Sequence, residues 1–148
     1  MCYLLTIGTR EREARLDTLL RRESTLTARG YEAPFRVGPS RNASMKTLFP
    51  AGDRPFDVVR GQCSCEFMPS KRKEAGPHEA LCRWLRDLAR VEGGVRVFVH
   101  WYSGRFDTEP VRNAGTIRIT VDQLVDASVL GEDRVVNIVS PDSPLRHA

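Results

Sequence analysis

Between residues 78 and 102 the sequence changes from a helical period to a strand period, and this change constrains the fold more than any other feature. Leu81, Trp84, Leu85 and Leu88 fall at i, i+3, i+4 and i+7, which sets them on one apolar face of a helix over 78–91. Glu79–Arg83 and Arg83–Asp87 are i,i+4 pairs on the opposite side and support the helix among themselves. Gly93-Gly94 stops it. The period then becomes two. Val95, Val97, Val99 and Trp101 share one face of a strand over 95–102, and Arg96, Phe98, His100 and Tyr102 share the other, which is expected to be only partly buried. An apolar helix stripe followed by an apolar strand face predicts a helix packed on a sheet.

The rest of the chain extends this pattern. Strands are expected over 2–8, 56–62, 116–120 and 134–139 from their β-branched and aromatic content. Thr9 is placed to cap a helix over 9–23 whose apolar side carries Ala14, Leu16, Leu19 and Leu20. Thr120-Val121-Asp122-Gln123 fits a capping box for a short helix reaching 128. Gly30, Pro34, Gly38, Pro39, Pro50, Gly52 and Pro55 break up the segment 30–54, which reads as loop with at most one short strand. A further loop is expected over 68–77. The prediction is an α+β fold: a single mixed β-sheet of about five strands, with two main helices and one short helix packed on it. Residues 1–140 are expected to form one domain and 141–148 a flexible C-terminal tail. A chain of 148 residues with 41% hydrophobic and 28% charged residues can bury a continuous core.

Charge and compartment narrow the function. The net charge is +4, but only five of the 23 Lys and Arg lie beyond Gly104, against seven of the 19 Asp and Glu. Arg10, Arg12, Arg15, Arg21 and Arg22 alternate with Glu11, Glu13, Asp17 and Glu23, the pattern of a solvated helix face, and Lys71-Arg72-Lys73 is a short loop cluster. Nucleic-acid binding is therefore not expected. No apolar run approaches membrane-spanning length, and the first residues lack a basic segment with a cleavage site, so a cytoplasmic location without membrane contact is expected. Neither a Gly-x-Gly-x-x-Gly fingerprint nor a phosphate-binding P-loop is present.

Cys63-Ser64-Cys65 is the most chemically distinctive spacing in the chain. On an extended backbone the two thiols share a face, which suits joint ligation of a soft ion better than a mutual disulfide. A strained pair of that kind would serve as a labile redox switch. Zinc needs about four ligands, and the other candidates are His78 and Cys82, at i and i+4 of the helix, and Cys2. Cys2 opens the first strand and Cys63 follows a later one, so they meet if those strands run antiparallel. Against the metal reading stands the ordinary one, in which unpaired cysteines act as small buried hydrophobes.

A second group is His100-Trp101-Tyr102 with Arg105, Asp107 and Glu109 beyond the turn. A histidine beside carboxylates can act as acid or base, but nothing marks a nucleophile, so catalysis is not favoured. His100, Trp101, Tyr102, Arg105 and Asp107 read instead as a surface for another protein. The sequence leans to a non-enzymatic interaction or regulatory domain. The alternative is a thiol-based metal or redox protein, with zinc as its cofactor.

Overall fold

The computed structural model describes residues 2–10, 15, 16, 18, 35–68, 75–92, 94–125 and 127–140. Among these lie β1 (Cys2–Thr9), β2 (Arg36–Pro39), β3 (Arg54–Val59), α1 (Ala75–Glu92), β4 (Val95–Tyr102), β5 (Thr116–Thr120) and β6 (Val135–Val139). Short 3-10 turns occupy Ala43–Thr47, Cys65–Phe67, Val121–Gln123 and Ala127–Val129. All six strands belong to one sheet in the order β2-β3-β1-β4-β6-β5. Its pairs are antiparallel except β5 with β6, which are parallel. Because β1 runs antiparallel to both β3 and β4, those two are parallel to each other. With α1 connecting them and β1 between them they form a split β-α-β unit.

This corrects the expected element count. The sheet is mixed, but it has six strands rather than five, and α1 is the one α-helix of any length among the described residues, not one of two. The sixth strand is β2, a single short strand within the segment 30–54 of the kind allowed for there, its position masked in the sequence by Gly38 and Pro39. It pairs on one side with β3 and forms the edge of the sheet, where a proline's missing amide is tolerated. The expected helix over 9–23 falls mostly outside the described residues. Within it, Arg15, Leu16 and Thr18 have helical backbone and Leu16 is fully buried. Thr9 is the last residue of β1, opposite Arg54, and the first turn it is expected to cap lies outside the described residues. The short helix expected after Thr120 is a 3-10 turn, in which the Gln123 side chain accepts from the Thr120 amide at 2.8 Å. The Lys71–Lys73 cluster and the tail 141–148 lie outside the described residues.

Both faces of the sheet are covered. On one, Leu81, Trp84, Leu85 and Leu88 of α1 pack against Leu5, Ile7, Val58, Val97, Val99, Val136 and Ile138. The helix stripe read from the sequence is therefore the buried one. On the other face Leu4, Phe98, Tyr102 and Val135 lie under Met45 and Phe49, which come from the 3-10 turn and the loop after it. Gly8 belongs to this second face. A Cβ there would sit 2.5 Å from the Phe49 ring, so the close approach requires glycine. No helix of the described residues is long and apolar enough to cross a membrane.

Candidate metal centre

The site forms where β3 ends and the chain folds back onto the start of β1. A two-residue turn joins Arg60 to Cys63, whose carbonyl accepts from the Arg60 amide at 2.8 Å. Gly61 in this turn has φ +72°, a conformation a side-chain-bearing residue adopts at a cost. Ser64 is the anchor that follows. Its amide donates to the Tyr3 carbonyl at 2.9 Å. Its Oγ accepts from the Leu5 amide at 2.8 Å and donates to the Val58 carbonyl. The serine is fully buried between the two strands, and the cysteines on either side are left partly exposed.

Cys2 comes to meet them because β1 and β3 are antiparallel, with Leu5 opposite Val58 and Ile7 opposite Phe56. The sulfurs of Cys2, Cys63 and Cys65 all lie within 4.8 Å of one another. Three thiolates around a zinc-sized ion, with metal–sulfur bonds of about 2.3 Å, would stand about 3.8–4.0 Å apart. The cluster is therefore within a small adjustment of ligation and could hold a metal ion. The backbone amide of Tyr3 also donates to the Cys65 sulfur at 3.2 Å. The cysteines do not lie along one extended strand, since Cys63 closes a turn and Cys65 opens a 3-10 turn, yet both sulfurs reach Cys2.

His78 and Cys82 are placed elsewhere. Cys82 is 3% exposed and belongs to the core beneath α1, beside Leu81 and Trp84. His78 is 4% exposed, and its Nδ1 lies 3.1 Å from the Phe67 carbonyl. Neither belongs to the three-sulfur group. All four cysteines are thiols rather than disulfides.

Burial pushes the Cys65 thiol up to about 12; its neighbours Cys63 and Cys2 add to this and the Tyr3 amide opposes it. The Cys2 thiol is raised by its hydrogen bond to Cys63 and then by burial. Both hold their protons at neutral pH without a cation to replace them, which makes them poor nucleophiles. A bound cation removes the obstacle by supplying the missing charge.

The second group is held together by contacts within the chain, and only part of it is exposed. Tyr102 is fully buried, and its hydroxyl accepts from Asn42 Nδ2 at 2.9 Å. Trp101 packs edge-on against Tyr3, with ring centroids 4.7 Å apart. His100 is held at both ring nitrogens, Nδ1 at 2.5 Å from Asp133 and Nε2 at 2.6 Å from Glu109. Glu109 also accepts from the Gly104 amide at 2.7 Å and the Ser103 hydroxyl at 3.0 Å, so the loop 103–109 is tied back to β4. Arg105 and Asp107 are exposed and paired, Nη2 to Oδ2 at 3.0 Å. Sequence reasoning missed Asp133 and Asn42, which are brought in by tertiary contact. Asp133 has φ +55°, a conformation that Asp tolerates better than most residues, but no sequence pattern announced it.

Arg41 was missed as well. Its guanidinium lies 4.6 Å from the centre of the Phe106 ring, and Arg41 lines two open grooves. One, of about 350 Å³, runs along β2 past Arg36, Asp57 and Gln62. The other, of about 560 Å³, is bordered by Gly104, Arg105, Phe106 and Asp107. No protein-family model matches the chain, and comparisons with curated proteins and with solved structures return no match.

Proposed function

We propose that this protein binds a thiophilic metal ion through Cys2, Cys63 and Cys65. The observation that carries the reading is the convergence of three sulfurs, drawn from two separate segments, to within 4.8 Å of one another. A chain using its cysteines only as small hydrophobes would bury them, as Cys82 is buried; these three stay partly exposed. Zinc and other ions that favour thiolate ligands are the chemical class. The test is reconstitution of reduced protein with zinc or another thiophilic ion, followed by desalting and elemental analysis. The expected result is one ion per chain, lost on replacing any of the three cysteines by serine. Failure to retain any such ion would end the proposal.

A second reading, docking of another protein on the loop 103–109, is favoured by the groove at Arg105, Phe106 and Asp107, which His100 and Glu109 hold in place. Native-lysate pull-downs with wild-type protein and the R105A/D107A double variant test it: the same partners retained by both would remove that reading.

A further inference from the structure

We infer that the three-cysteine site is a three-coordinate centre for Cu(I), with no fourth ligand from the described residues. The inference rests on the metal-binding reading above and narrows it to one ion. Structural zinc is four-coordinate, whereas Cu(I) is a soft ion that three thiolates complete in a plane. Among the described residues the sulfur cluster has three members. Among the described residues three other groups of suitable chemistry nearby in sequence are committed elsewhere: Cys82 and Met68 to the core under α1, and His78 to its buried position at the Phe67 carbonyl.

The scaffold also fixes the backbone on which the sulfurs are carried. Ser64 is fixed to Tyr3, Leu5 and Val58 by both its backbone and its side chain, so Cys63 and Cys65 leave a rigid point in the sheet. Cys2 is held by its place in β1, opposite Tyr102. The three sulfurs thus stand close together on a fixed backbone, partly exposed, where an ion can enter and leave. Three thiolates with Cu(I) carry a net negative charge. The Tyr3 amide donates into that charge at Cys65. Two guanidinium groups lie over the turn that leads to Cys63, with Arg36 Nη2 2.7 Å from the Gly61 carbonyl and Arg41 Nη2 3.4 Å from that of Gln62. Partial exposure with a charged, three-sulfur ligand set describes a site that exchanges its ion rather than one that staples a fold.

The experiment is an anaerobic titration of the reduced full chain with Cu(I) buffered by a competing chelator, starting from both metal-free and zinc-loaded protein. X-ray absorption at the copper edge then counts ligands. The expected result is one Cu(I) per chain, three sulfur scatterers with no fourth ligand, and release of the zinc. Serine at position 2, 63 or 65 should lower Cu(I) affinity by at least about a hundredfold, while Cys82→Ala leaves it unchanged. Circular dichroism of each variant reports folding, and the ligand count on wild-type protein stands whether or not a variant folds. Zinc held by four protein ligands and resisting Cu(I) would overturn the inference but leave the metal-binding reading standing. So would copper on two sulfurs, or more than one copper per chain. Failure to take up either ion would overturn both.

Discussion

The backbone amide of Tyr3 donates to the sulfur of Cys65 across 3.2 Å, joining the start of the first strand to the turn that follows the third. The same residue's carbonyl accepts from Ser64. Tyr3 thus holds the Ser64 amide and the Cys65 sulfur, and the cysteine cluster is an extension of the β1–β3 pairing beyond the last residue of β3. Backbone pairing and the Ser64 side chain together set where the three sulfurs stand.

Ser64 is the first test of that arrangement. In Ser64→Ala the Leu5 amide and Val58 carbonyl lose their buried side-chain partner, which should cost about 1–3 kcal/mol of stability. Metal affinity should fall with it, by about 10–100-fold, as expected for a residue that orients ligands without touching the ion. Denaturant unfolding and metal competition measure the two effects. Unchanged affinity would show that the turn is positioned by other contacts.

Metal binding should strengthen steeply with pH. Cys2 and Cys65 hold their protons more tightly than ordinary thiols, so binding must displace at least two protons. Affinity should then rise about a hundredfold per pH unit through the neutral range. Competition titrations at several pH values give the slope. Metal-free protein has the opposite dependence. The raised Cys65 value contributes stability that is fully present below pH 9.0 and is lost as pH rises towards about 12.

His100 predicts a separate pH effect. Burial opposes its charge, but the hydrogen bonds to Asp133 and Glu109 outweigh this and raise its pKa above the ordinary 6.5. Its contribution to stability is therefore complete below pH 6.5 and lost as pH rises through the raised value. The denaturant midpoint of the wild-type protein should decline across that window, and that of His100→Gln should be flatter. Parallel curves would show that the charge on the ring does not hold the loop.

Gly8→Ala should destabilise the second core, since the added methyl would fall 2.5 Å from the Phe49 ring. Overpacking of this kind costs about 1–3 kcal/mol. Thermal unfolding detects it, and the double variant Gly8→Ala/Phe49→Leu should recover part of the loss.

The elements with a strong period were legible in the sequence. Leu81, Trp84, Leu85 and Leu88 announced the buried face of α1, and Val95, Val97 and Val99 the inner face of β4. For β2 only the room for one short strand in 30–54 was legible and not its position, because Gly38 and Pro39 suppress a strand signal that pairing with β3 restores. The second core under Met45 and Phe49 was also invisible: it is built from a 3-10 turn, which has too little period to declare a face. At the cysteines, the antiparallel neighbourhood of Cys2 and Cys63 could be argued from the sequence. His78 and Cys82 fall beside Leu81 and Leu85 on that same side of α1, so their burial follows from the stripe although their residue types suggested ligands. Asp133 reaches His100 from 33 residues away, through a turn that no local pattern marks.

The most direct test of the account is native mass spectrometry of the reduced chain with one thiophilic ion added. Wild-type protein and Cys82→Ala should each bind one ion, with a mass deficit for the protons displaced. Cys2→Ser, Cys63→Ser and Cys65→Ser should each fail to retain it. Equal retention by all four variants, or loss only in Cys82→Ala, would contradict the assignment of Cys2, Cys63 and Cys65 as the ligands.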